Sequence, residues 1–238
     1  GKQLDKGLYY ADDYVTMYLQ CATHWDALGH IFFPTVDENG QKETVMWNGY
    51  PATMVTGKGC EKCGIEKVRA KMVGRGVLLD IARFKEMDVL PDGFGITNED
   101  LDACAAAERV EIKTGDFLLI RTGQMGKCLK NGWGNYAAGD APGLEFETLK
   151  WLQRHEIAAV CADTWGIEVR PNRTGEFMFQ PWHHITIPIM GVTHGEIFNL
   201  EDLATDCAAD GQYDFFFVAP PIPFTMGAGS PINPLAIK

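Results

Sequence analysis

The sequence has no long apolar run. None approaches the ~18 residues a membrane-spanning helix requires, so nothing in it is expected to cross a bilayer as a helix. It is also short of positive charge. Lysine and arginine total 21 against 32 aspartates and glutamates, a net charge of −11 and a pI near 5.0, which argues against nucleic acid or an anionic membrane as partner, since both select a basic surface. Internal repeats and low-complexity tracts are missing. So are a Gly-x-Gly-x-x-Gly or phosphate-binding loop and a nucleophile elbow, and nucleotide-dependent or serine- and cysteine-nucleophile chemistry recedes with them. The seven cysteines are odd in number and scattered over a chain too long to need staples, as expected of mostly reduced thiols in the cytoplasm. Cys60 and Cys63 lack the second pair a structural zinc needs, and their glycine-rich flanks read as loop. The chain opens on Gly1-Lys2 rather than on methionine, and an upstream segment is expected.

What is present is enough apolar material, 46% of 238 residues, for a proper core, and the chain reads as a single domain over 1–238. Gly76–Ile81, Phe117–Arg121 and Ile157–Ala162 are short, nearly all-apolar runs, the pattern of strands buried on both faces. Asp12–Leu19, Ile185–Val192 and Tyr213–Ala219 are further strand candidates. Thr97 opens a helix that runs to about Arg109, and Leu144–His155 has amphipathic spacing. Residues 36–64 read as a long loop-like insertion and Gln124–Gly143 as irregular. Alternating strands and helices predict an α/β fold, a mixed sheet covered by helices.

The densest chemistry lies in Gln20-Cys21-Ala22-Thr23-His24-Trp25-Asp26-Ala27-Leu28-Gly29-His30. Two imidazoles and a carboxylate suit a divalent ion of the zinc, manganese or iron type. In an extended segment His24 and Asp26 share a face, and a helical turn after Asp26 brings His30, four residues on, to the same side. Three ligands still need a fourth from elsewhere. Pro181-Trp182-His183-His184 and Thr193-His194-Gly195-Glu196 form a second constellation, in which His184 and Glu196 are the candidates and His194, like His155, reads as an ordinary surface or loop residue.

Thr23-His24-Trp25-Asp26 with His30 is similar to the second half of the His-x-Gly-Thr-His-x-Asp-x-Pro-x-His signature of the cyclase family of metal-dependent hydrolases, the group of kynurenine formamidase and isatin hydrolase. The resemblance extends in order through Gly76–Ile81, Gly115–Gly123, Ala162-Asp163-Thr164, His184 with Glu196, Asn199-Leu200 and Gly229-Ser230-Pro231. Departures are Gln20 for the first histidine, Ala22 for the glycine and Leu28 for the proline. A neutral amide is a weaker ligand than imidazole, which favours a hard ion such as manganese or leaves one of two metal positions weak. The resemblance implies a barrel-like core of the kynurenine formamidase type and one or two manganese or zinc ions held by His24, Asp26, Glu196, Gln20 and His184. It further implies hydrolysis of a small amide, formamide or cyclic amide by activated water. His30, with His184 as runner-up, is the expected proton carrier. Trp25, Phe33 and Trp182 are the expected aromatic contacts to the substrate. A homodimer or homotetramer is expected. Two other readings stay open: a ring-forming or dehydrating enzyme acting on a polyketide-like carbonyl, and a binding protein without catalysis.

Overall fold

A computed structural model describes residues 2, 3, 5–174 and 179–238. Its centre is built from the apolar runs. Strands β1 (His24–Asp26), β2 (Val73–Asp80), β3 (Phe117–Arg121), β4 (Ala159–Ala162), β5 (Thr193–Glu196), β6 (Asp214–Val218), β7 (Gly229–Pro231) and β8 (Leu235–Ile237) form an 8-stranded sheet in the order β7–β1–β5–β4–β3–β2–β6–β8. Its middle four strands, β2 to β5, run parallel; β1 and β7 on one side and β6 and β8 on the other are antiparallel to their neighbours. The sheet curls into a half-barrel flanked by helices.

Parallel strands covered on both sides need apolar residues on both faces, and the inner stretches of β2, β3 and β4 supply them. Val77, Leu79, Leu118, Ile120, Val160 and Ala162 face one core, while Leu78, Phe117, Leu119, Ala159 and Cys161 face the other. The first core is closed by helices α1 (Asn98–Ala107), α3 (Thr148–His155) and α4 (Pro181–Ile185), which contribute Leu101, Leu149, Trp151, Leu152 and Trp182. The second is closed by α5 (Glu201–Asp210) and an aromatic group of Trp25, Phe117, Phe198 and Phe217. Helix α1 starts where the sequence predicts, with Thr97 and Asp100 forming a capping box.

Four expectations need correction. Asp12–Leu19 is not a strand: it pairs with no strand among the described residues, and its Tyr14 and Tyr18 stand in solvent. Ile185–Val192 is not a strand either. Helix α4 continues there into a π-helical turn, Thr186–Met190, because Pro188 cannot donate to a strand ladder and Gly191, at φ +72°, closes the turn. Gln124–Gly143 opens with a regular helix, α2 (Gln124–Asn131). Residues 36–64 are not loose: Phe33–Val36 pairs with Lys42–Val45 and Val55–Thr56 with Gly59–Cys60, in two hairpins.

Candidate metal centre

Strand β1 lies between β5 and β7, paired so that His194 stands opposite Asp26 and Glu196 opposite His24. Alternation then sends His24, Asp26, His194 and Glu196 to one face of the sheet and Trp25 and Gly195 to the other. The pairing is close because Gly195 has no side chain: a Cβ there would meet Cys161 Sγ at 2.7 Å and the Trp25 ring at 2.8 Å. Thr23 Oγ1 donates to the Ile197 carbonyl at 2.6 Å and fixes the same seam one step further on. Helix α4 brings His183 to the cluster from above the sheet.

Ligand atoms of Asp26, His183, His194 and Glu196 all lie within 4.8 Å of one another, and all four residues are buried. His24 Nε2 stands 3.4 Å from Asp26 Oδ1 and 3.6 Å from Glu196 Oε2, and His30 Nε2 is 3.7 Å from Asp26 Oδ1. These gaps are long for hydrogen bonds. They match the edges of a coordination shell, because donors ~2.1 Å from a shared tetrahedral ion stand ~3.4 Å apart. His24 Nε2, Asp26 Oδ1 and His194 Nδ1 are buried and have no hydrogen-bond partner. An orphaned buried donor or acceptor costs ~1–3 kcal/mol, so three on residues of one sheet face, of the atom types a divalent cation takes, fit a metal ion.

Around them sit groups whose nitrogens and oxygens are already committed. His24 Nδ1 is 2.7 Å from the Ala22 carbonyl, which puts its proton there and turns Nε2 towards the cluster. His183 Nδ1 is 2.7 Å from Glu168 Oε1 and its Nε2 is 2.9 Å from Glu196 Oε1. Glu168 also accepts from the backbone of Trp182 at 3.2 Å and of His183 at 3.0 Å, satisfying free N–H groups at the start of α4. Burial works against charge on His183, yet the hydrogen bonds to Glu168 and Glu196 outweigh it and push the ring up to about 10. Burial and the neighbouring Asp26 raise the Glu196 carboxyl. Burial also opposes ionisation of Asp26, but the His30 and His24 charges win and hold it well below the usual carboxylate range. His194, buried and beside the His183 charge, is pushed well below its ordinary value.

The structure brings together His24, Asp26 and Glu196, with His30 at the rim, its side chain 33% exposed. Other expected residues lie elsewhere. His184 is not in the buried cluster; its Nδ1 faces the Phe32 carbonyl at 3.1 Å, because one of two adjacent residues on a helix must turn aside, and His183 takes the inner position. The Gln20 amide lies against Gly229, whose strand pairs with Asp26 from the far side. Trp25 and Trp182 are fully buried core residues rather than a substrate wall, with indole N–H groups donated to the Ala219 carbonyl at 2.6 Å and Thr148 Oγ1 at 3.0 Å. Phe33 is half-buried at the start of a hairpin. His194, expected at the surface, is fully buried in β5. His183, His194 and Glu168 are the additions. His194-x-Glu196 repeats the two-residue spacing of His24-x-Asp26, a signal visible in the sequence once residues 193–196 are read as a strand.

The family model described as "Putative cyclase" matches residues 3–169. A crystal structure described as a novel cyclase is 36% identical, with a TM-score of 0.87 over 98% of this chain and 75% of that one. An isatin hydrolase bound to the product analogue thioisatinate is similar at 18% identity, TM-score 0.68, over 99% of this chain and 78% of that one. The "predicted metal-dependent hydrolase from Bacillus stearothermophilus" is similar at 18% identity, TM-score 0.55, over 95% and 83%. None of the curated proteins compared with the chain matches it.

Proposed function

The chain belongs to the cyclase family, and on that premise we propose that it is a metal-dependent hydrolase cleaving the carbonyl–nitrogen bond of a small amide, formamide or cyclic amide. The observation that carries the reading is the set of buried, unpartnered atoms His24 Nε2, Asp26 Oδ1 and His194 Nδ1 on the paired strands that also carry Glu196. A zinc or manganese ion at this site would be held by donors from His24, Asp26, His194 and Glu196, and would supply the positive charge that makes water a nucleophile near neutral pH and polarises a carbonyl. His30 stands between Asp26 and solvent, so it is placed to pass a proton to the leaving nitrogen, with Asp26 steadying its ring. His183 keeps its proton between Glu168 and Glu196, and its charge offsets part of the negative charge that the carboxylates bring into a dry site.

Segment 11–19, which leads into β1, leaves Tyr14 94% and Tyr18 87% exposed, and this supports association into a dimer or tetramer, to be measured by light scattering. No helix among the described residues is long and apolar enough to cross a membrane.

The test is metal analysis of the purified protein, followed by assay of aryl formamides and cyclic amides with zinc or manganese. Acid release that depends on metal and consumes water is expected. A protein that takes up no transition metal after incubation, or a product formed by loss of water, overturns the reading.

A further inference from the structure

The hydroxyl of Thr186 lies between two groups, the Trp182 carbonyl at 2.9 Å and His194 Nε2 at 2.6 Å. A carbonyl oxygen only accepts, so the single hydroxyl proton of Thr186 goes to Trp182, four residues back along the helix. Its oxygen then accepts, and among the described residues the partner placed to donate to it is His194 Nε2. In a neutral imidazole this leaves Nδ1 bare. That nitrogen is the buried atom without a partner, on the strand face that carries Glu196 and opposite Asp26.

We propose that Thr186 is a positioning residue that fixes the tautomer of His194 and presents Nδ1 as a donor to the ion. The inference rests on the reading of this cluster as a metal centre. It makes the two imidazole donors unlike each other: His24 offers Nε2 because the Ala22 carbonyl holds its Nδ1 proton, and His194 offers Nδ1 because Thr186 holds its Nε2 proton. The π-helical turn has a part in this. It begins at Thr186 and sets the hydroxyl beside β5, while the Trp182 carbonyl, which also accepts the Thr186 backbone N–H, has a second lone pair for the hydroxyl proton.

Nitrogen NMR of the histidine side chains in the metal-free protein reads the tautomer directly and needs no variant. The expected result is His194 protonated at Nε2 and bare at Nδ1; a proton on Nδ1 overturns the proposal. Cobalt(II) titration followed by visible absorption gives a second readout. Thr186→Val keeps the side-chain shape but removes the acceptor, and cobalt binding is expected to weaken ~10–100-fold with an altered spectrum, the usual effect of removing a hydrogen-bond partner of a ligating histidine. Thr186→Ser keeps the hydroxyl and is expected to bind as the parent does. Parent-like cobalt binding by Thr186→Val, with Asp26→Ala unable to bind, sinks the role of Thr186 and leaves the metal reading standing. A parent protein that binds no cobalt sinks both.

Discussion

Replacing Glu168 by glutamine tests how the cluster is held. The carboxylate is 2% exposed and accepts three protons, from the Trp182 and His183 backbone at 3.2 and 3.0 Å and from His183 Nδ1 at 2.7 Å. Glutamine keeps the shape but offers one oxygen where there were two and turns an NH2 group towards a donor. Breaking a buried charge pair on one side costs ~3–5 kcal/mol, and the abandoned helix N–H adds to that, so Glu168→Gln is expected to lose about 4 kcal/mol. Urea denaturation of chelator-stripped protein at pH 7, with an unchanged slope, measures it. The pH profile supplies the sign. A histidine pushed up to about 10 stabilises the fold fully below its unfolded value and loses that contribution as pH rises through 10, so the gap between parent and variant closes in alkali. A variant within 1 kcal/mol of the parent at pH 7, or a gap independent of pH, refutes the reasoning.

Asp26→Ala is expected to lose metal and activity together, and the rise in melting temperature that zinc gives the parent disappears with it. His30→Ala is expected to keep its metal, by elemental analysis, while turnover falls ~10²–10⁴-fold. Glu108 accepts from the Asp80 backbone, but its Oε2 is buried and unpartnered, and burial pushes the carboxyl up to about 8. The folded chain then holds a proton that the unfolded chain releases between about pH 4.5 and 8, so stability falls across that window. Glu108→Gln should flatten the fall and be ~2–4 kcal/mol more stable than the parent at pH 9, by denaturant titration. Gly195→Ala forces a methyl group into Trp25, Cys161 and Phe198, with an expected cost of ~1–3 kcal/mol and weaker cobalt binding, since the strand that carries Glu196 must shift.

Strands β2, β3 and β4 were legible in the sequence because a strand buried on both faces leaves an unbroken apolar run. His24 and Asp26 were legible because their two-residue spacing needs only an extended chain. His194 escaped for a physical reason. It lies after Ile185–Val192, whose apolar residues suit a strand as well as a helix, and with that segment read as a strand the alternation of His194 and Glu196 within β5 is hidden. The choice between His183 and His184 depends on the rotation of α4, which Glu168 sets by gripping the first helical N–H groups, and no local pattern encodes a contact with residue 168. Trp25 and Trp182 flank the candidate ligands in the chain, yet Trp25 alternates to the opposite face of β1 and Trp182 is turned about 100° round α4 from His183, and both rings go to the core.

The seam between β1 and β5 joins the beginning of the chain to its last quarter: Thr23 and Ile197 are bonded across 174 positions. Closing so wide a loop is entropically expensive and late, and a nascent chain has no second half of this site until residue 196 has left the ribosome. An ion bound at the seam would then clasp together two stretches of chain made far apart in synthesis.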